Sequence, residues 1–162
     1  MTRASSRLPE LGPRGEGWFV VQLLLMGAIV GAAFTGIYWP EAAGGTLAIL
    51  GFIAIGAGLV LLAAAAVSHG GFVSVFPRPR TRSKLVQSGI YRTVRHPIYG
   101  AVLLIALGSS LAESPLGLIP TALLAVLFDL KARVEEAYLE ERFADYAAYR
   151  ERTPSRFVPG LY

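Results

Sequence analysis

The sequence predicts an all-α, polytopic integral membrane protein with about four transmembrane helices, the last two forming a tight hairpin and the final one running on into the cytosol. Three observations lead there. Only 16% of the 162 residues are charged, against about 25% in an ordinary soluble domain, and mean hydropathy is +0.52. The deficit is concentrated, since Trp18 to Pro40 and Ala42 to Pro77 hold no Asp, Glu, Lys or Arg and Pro97 to Phe128 holds only Glu113. Helices of a soluble domain need a polar face, so three such runs belong in lipid. The length suits one membrane domain over residues 1–162: a cytosolic tail over 1–17, two N-terminal membrane helices over 18–67, and the part that carries chemistry over 68–162.

The tail mixes Arg3, Arg7 and Arg14 with Glu10 and Glu16. The apolar run after it has 23 residues, longer than the roughly 7–15 of a cleaved signal core. Trp18 to Tyr38 is long enough to span, because about 20 residues cross a ~30 Å hydrocarbon core; Trp18, Tyr38 and Trp39 are expected at its interfaces. Gly27 and Gly31 form a G-x-x-x-G, expected to serve ordinary small-residue packing inside the protein. Thr46 to Val67 is the second span. The loop from Ser68 to Arg95 then carries Arg78, Arg80, Arg82, Lys84, Arg92 and Arg95 with no acid.

Pro97 to Leu111 and Pro115 to Leu130 are separated by Ala112-Glu113-Ser114, a combination that ends one helix and starts another. They predict a hairpin, spanning or partly re-entrant. From Lys131 the last helix is expected to continue into water without a breaker until Thr153 and Pro154. The closing Arg156-Phe157-Val158-Pro159-Gly160-Leu161-Tyr162 is apolar and aromatic enough to dock. The turns between paired spans carry no Lys or Arg, whereas the long loop and the segment after Leu130 carry six each. The positive-inside bias therefore places both termini in the cytosol of an inner membrane.

Composition also excludes chemistries. Without cysteine there is no thiol nucleophile or thiolate metal site, and His69 and His96 alone make no histidine-rich metal centre. No phosphate-binding glycine loop follows a strand. The excess of 15 Lys and Arg over 11 Asp and Glu is read as orientation in the membrane rather than nucleic-acid binding.

Two constellations remain. Arg95-His96-Pro97-Ile98-Tyr99 places His96 at a helix mouth, because Pro97 suits the first helical turn and pushes the residue before it to an extended conformation. Exposed N–H groups there, with Arg95 and His96, suit a carboxylate or phosphate; the plainer alternative makes His96 and Tyr99 interfacial anchors. On the last helix, a stripe through Ala125, Phe128, Ala132, Leu139 and Phe143 is expected to face the protein, with Glu135 and Glu136 falling where apolar residues belong. Inward carboxylates near lipid need a cationic partner, and local pairing of Lys131 with Glu135 and Arg133 with Glu136 is the simplest supply. Glu140, Glu141 and Asp145 read as a solvated face. Carboxylates on one wall and Arg, His and Tyr on the other suit S-adenosylmethionine, which carries an amine, a carboxylate and a sulfonium.

The run Lys84 to Tyr99, followed after one hairpin by Glu135-Glu136-Ala-Tyr-Leu139 and Phe143-x-x-Tyr146-x-x-Tyr149 and closed by Arg-Phe-Val-Pro-Gly, resembles the isoprenylcysteine carboxyl methyltransferase family and its phospholipid methyltransferase relatives over about the last 90 residues. The resemblance implies S-adenosylmethionine bound from the cytosol and a lipophilic acceptor entering from the membrane lipids. It implies cofactor contacts from Ser83, Lys84, Leu85, Val86, Tyr91, Arg95, His96, Pro97, Ile98, Tyr99 and Glu135. Lys131 stands where the family has a basic substrate contact, with Arg133 a second candidate. Gly100-Ala101 departs from members that carry the glycine one place later, which affects packing more than chemistry.

Methyl transfer is an in-line displacement that asks for alignment in a water-poor pocket. A carboxylate acceptor needs no general base; an amine must lose a proton, for which Glu135, Glu136 and His96 are the catalytic candidates. Membrane sterol reductases share a similar Arg-His-Pro-x-Tyr segment and use NADPH, but are typically longer. A small non-enzymatic membrane subunit is the third reading.

Overall fold

A computed structural model describes residues 11–12, 15–69 and 84–160; Ser83, Arg78, Arg80, Arg82 and nearly all of the N-terminal tail lie outside the described residues. Among the described residues the chain forms five α-helices and two 3-10 turns: α1 (Glu16–Ala32), α2 (Glu41–His69), a turn at Gly89–Arg92, α3 (Pro97–Glu113), a turn at Pro115–Gly117, α4 (Leu118–Arg142) and α5 (Tyr146–Arg152). The Glu41–Ser68 and Pro115–Arg142 segments are long and apolar enough to cross a membrane. Helices α1 and α3, at 17 residues each, sit at the short limit for a span. The all-helical, polytopic membrane architecture is as the sequence predicts.

α1 is shorter than the expected run to Tyr38, because the chain turns after Ala32 and passes through Gly36 at φ 73°. Trp18, Leu25, Ile29 and Ala32 fall on one face at three- and four-residue spacing and turn toward α3 and α4, where Ala106, Leu124, Leu127 and Phe128 complete the core. Trp18 is thus a core residue, not the interfacial anchor expected of it: it is only 3% exposed. Tyr38 is exposed, and Trp39 Nε1 donates to the Ser110 carbonyl at 3.1 Å.

α2 runs beyond the expected Thr46–Val67 at both ends and packs along α3. The contact is a seam of small residues. Gly51, Gly58 and Ala65 are its buried positions, at seven-residue spacing. A Cβ on Gly51 would lie 2.5 Å from the Gly108 carbonyl oxygen, one on Gly108 2.5 Å from the Gly51 carbonyl, and one on Gly58 2.9 Å from that of Ala101. Close backbone approach of this kind drives helix association in lipid, where apolar side chains gain little by leaving the acyl chains. Most of α2's large side chains, among them Leu50, Phe52, Ile53, Leu59 and Val60, are exposed and face the bilayer. The expected role of Gly27 and Gly31 is corrected: among the described residues nothing beyond their own helix turn lies within 4 Å of a Cβ built on either, and both are exposed, so the internal packing falls to Gly51, Gly58 and Gly108.

The hairpin turns at Ser114, whose extended backbone separates α3 from the following 3-10 turn. Its hydroxyl donates to the Ile37 carbonyl at 2.6 Å and accepts from the Leu116 N–H at 3.3 Å, which ties the α1–α2 connection to the hairpin. The start of α3 and the end of α4 are thereby returned to the same end of the bundle. The last helix does not run unbroken to Thr153. It stops at Phe143, which leaves helical geometry at φ −117° and ψ 111°, and the chain folds into α5 and an ordered strap over residues 153–160.

Gly51→Leu is expected to lower the melting temperature in detergent sharply, since overpacking a fitted contact costs about 1–3 kcal/mol or more, whereas Gly27→Leu and Gly31→Leu should leave it within a degree or two; equal sensitivity at all three positions would contradict the seam.

Candidate functional site

Pro97 fixes the first turn of α3 and leaves His96 as its N-cap, at φ −126° and ψ 61°. The strap pairs with this corner: the Arg95 N–H donates to the Ser155 carbonyl at 3.0 Å and the His96 N–H to that of Arg156 at 2.8 Å. A Cβ on Gly100 would meet the Phe157 carbonyl at 2.6 Å, so the glycine at this register admits the strap. Arg95 Nη1 donates to the Thr153 and Pro154 carbonyls, both at 2.6 Å.

Two carboxylates arrive from α4 with unlike surroundings. Glu136 is buried and takes Arg95 Nε at 3.0 Å, His96 Nε2 at 3.1 Å, Arg156 Nη2 at 3.1 Å and Arg156 Nε at 3.3 Å. A carboxylate only accepts, so Nε2 carries the proton in its contact. Arg156 also donates Nη1 to Asp129 at 2.7 Å, and Asp129 accepts Arg133 Nε at 2.7 Å. Glu135 is the more open of the pair, its side chain 27% exposed against 6% for Glu136. It accepts the Tyr99 hydroxyl at 2.8 Å and faces His96 Nδ1 at 3.8 Å. His96 is therefore wedged between the two acids.

Aromatic rings line the Glu135 side. His96 and Tyr99 stack at 5.4 Å with planes 2° apart, and Tyr99 stacks on Phe128 at 4.7 Å. Phe157 of the strap tilts against both His96 and Tyr99. The Lys131 ammonium lies 5.2 Å from the Tyr99 ring centre and donates to Gln22 Oε1 of α1 at 2.8 Å.

Behind this corner the Tyr-x-x-Tyr spacing of α5 does packing work. Tyr149 donates its hydroxyl to the Tyr91 carbonyl at 2.8 Å, and burial pushes its phenol up to about 12, so the donor keeps its proton throughout the neutral range. Burial likewise raises the phenols of Tyr91 and Tyr146. Tyr91 is thus tied to α5 through its backbone.

The structure brings together Arg95, His96, Pro97, Tyr99, Lys131, Glu135 and Glu136. Ile98 is half-buried on the first turn of α3, and Lys84, Leu85 and Val86 lie in the irregular stretch leading to the 3-10 turn, Lys84 exposed and the other two half-buried. Arg133 stands at the rim of the cluster, its side chain 49% exposed and paired with Asp129. One expected local pair gives way: Arg133 pairs with Asp129, and the hydrogen-bond partners of Glu136 come from across the fold, whereas Lys131 does lie within electrostatic reach of Glu135. Glu140, Glu141 and Asp145 are exposed as expected, with Glu140 paired to Arg150. Sequence reasoning missed Asp129, Arg156 and Gln22 as members. Asp129 had a signal, since it stands seven residues before Glu136 and so shares its helix face; Gln22 had one as the lone amide in an uncharged apolar run.

Residues 46–146 match the phospholipid methyltransferase family, well over half of the chain. The chain belongs to that family. Over 87 residues, 51% of its length, it is also 40% identical to the cobalt-zinc-cadmium resistance protein CzcN of Cupriavidus metallidurans, and the match spans 38% of that relative. In this phospholipid methyltransferase family chain the matched segment takes in α2, α3 and α4 with both acids and the Arg95-His96 corner. The strap and α1 lie beyond it.

Removing the Glu136 carboxylate by Glu136→Ala leaves Arg95 and Arg156 without their shared buried counter-charge, a loss on the order of 3–5 kcal/mol, so a steep drop in thermal stability is expected. Glu135→Gln, at the more open position, should cost little by the same melt; a ranking in the other order would refute the division of labour between the two acids.

Proposed function

We propose that the protein transfers a methyl group from S-adenosylmethionine to a lipophilic acceptor, either the carboxylate of a prenylcysteine-like molecule or another lipid head group, at the cytosolic face of a bacterial-type inner membrane. The observation that carries the proposal is the unlike pair of adjacent carboxylates, with Glu136 bonded into the fold and Glu135 open beside a stacked His96–Tyr99–Phe128 wall.

The donor set fits the group. An open carboxylate with aromatic faces suits a molecule bearing an ammonium and a sulfonium, and Glu135, Tyr99 and His96 are the residues to hold it. When bound, S-adenosylmethionine supplies an electrophilic methyl on sulfur. Glu136, with Arg95, His96 and Arg156, orients the His96 ring and the start of α3 and thus acts as a positioning group. Phe157 and the strap shield His96 and Tyr99, which favours a displacement whose charge is spread in the transition state. Glu135, hydrogen-bonded by Tyr99, is the acid best placed to accept a proton from an amine acceptor; a carboxylate acceptor asks for none. Lys131 is the buried cation against the same wall and is assigned to the acceptor.

Purified protein in detergent should bind S-adenosylmethionine by calorimetry and move labelled methyl into a total lipid extract or a panel of prenylated thiols, the product being identified by mass. Glu135→Ala should abolish donor binding, and Tyr99→Phe, which removes one hydrogen bond to Glu135, should weaken it by roughly five- to tenfold, about 1–1.4 kcal/mol, with melting temperatures retained. Wild-type affinity in Glu135→Ala would sink the assignment, and binding of NADPH in place of S-adenosylmethionine would favour a reductase.

A further inference from the structure

The geometry points to Gln22 of α1 as the residue that positions Lys131 and thereby sets the affinity for the lipophilic acceptor. This rests on the methyl-transfer reading above and adds to it a determinant from outside the family-matched segment.

Gln22 is anomalous where it stands. It lies one turn after Trp18, on the same face as Leu25 and Ile29, inside a run from Trp18 to Pro40 that holds no charged residue. A polar amide on the inward face of a helix in lipid needs a partner. Its nitrogen donates to Met26 Sδ at 3.9 Å, and its oxygen meets a cation 109 positions away in sequence: Lys131 Nζ donates to Gln22 Oε1 at 2.8 Å. Lys131 is 1% exposed, so water contributes little to orienting its ammonium.

A lysine ends in a point charge on a four-carbon stem and lacks the planar fork by which arginine fixes its own direction. Something else must set the stem. The Tyr99 and Phe128 faces lie 5.2 and 6.0 Å from the ammonium, the Glu135 carboxylate one turn on adds its charge, and the Gln22 oxygen supplies a hydrogen bond from another helix. Tyr99 is in turn hydrogen-bonded to Glu135. Gln22, Lys131, Tyr99 and Glu135 thus form a continuous line of contact from α1 across α4 and α3 to the proposed donor carboxylate. Gln22 lies at the end away from Glu135, so losing its oxygen should loosen the ammonium while Glu135 keeps its hydrogen bond from Tyr99.

The test uses the full-length protein in mixed micelles, with labelled S-adenosylmethionine as donor and a total membrane-lipid extract as acceptor. Gln22→Met keeps the side-chain length and removes the oxygen. It is expected to raise the half-saturating amount of extract fivefold or more while the calorimetric Kd for S-adenosylmethionine stays within twofold. Gln22→Glu, which keeps an acceptor oxygen, should restore most of the loss. In a Lys131→Met background Gln22→Met should add nothing, since the group it positions is gone. If Gln22→Met fails to accumulate, Gln22→Asn, which withdraws the oxygen by one methylene, should give the same split. An unchanged half-saturation, equal losses for donor and acceptor, or full additivity with Lys131→Met would each overturn the inference while leaving the methyl-transfer reading in place. Absence of both donor binding and transfer in the wild type would overturn the two together.

Discussion

Everything at the functional end of this bundle hangs on one buried carboxylate. Glu136 gathers Arg95, His96 and Arg156, which come from the entry to α3 and from the C-terminal strap, while Glu136 itself belongs to α4. Three chain segments that share no secondary structure are joined through two oxygens. In a low-dielectric setting such a junction is stable only when every member is present, because a partner left alone bears an uncompensated charge. That constraint fixes the His96 ring, the first turn of α3 and the path of the strap, and so fixes what surrounds Glu135.

The two adjacent glutamates divide along this line. Helical geometry turns neighbouring side chains about 100° apart, enough to send Glu136 toward the strap and Glu135 toward Tyr99 and Lys131. One acid is occupied in holding segments together, and its neighbour meets the outside. No single carboxylate can occupy both environments, which gives the Glu-Glu dipeptide a physical rationale beyond charge count.

Much of this was legible beforehand, and for physical reasons. Charge-free runs announce lipid because ionised groups are too costly there, and the Pro97 and Pro115 signals mark helix starts because proline lacks an N–H. The inward placement of Glu135 and Glu136 followed from the apolar stripe through Phe128 and Ala132, both fully buried in the structure. What sequence could not supply was partner choice. Arg133 stands at helical spacing from Glu136, yet its ion pair is with Asp129, since long-range cations at Arg95 and Arg156 reach Glu136 with better geometry; Lys131 keeps Glu135 within electrostatic reach but takes a further partner, Gln22, from another helix. Trp18 misled for a related reason: an aromatic at the head of an apolar run marks an interface only if the helix face it sits on is not taken up by a neighbouring helix. The break at Phe143 carries neither proline nor glycine, and reflects the turn the chain makes to bring α5 against Tyr91.

The helices also differ in length in a way the membrane itself must register. α2 has 29 residues and α3 only 17, a disparity of about 18 Å at 1.5 Å per residue, although the glycine seam holds them side by side. No bilayer of uniform thickness matches both. α2 can meet this by tilting or by projecting past the hydrocarbon, whereas the 17 residues of α3 leave no length to spare. The start of α3, capped by His96 and followed by Tyr99, therefore has little helix with which to rise clear of the hydrocarbon edge. The mismatch between two adjoining rods thus sets the depth at which this end of the protein lies relative to the longer helix beside it.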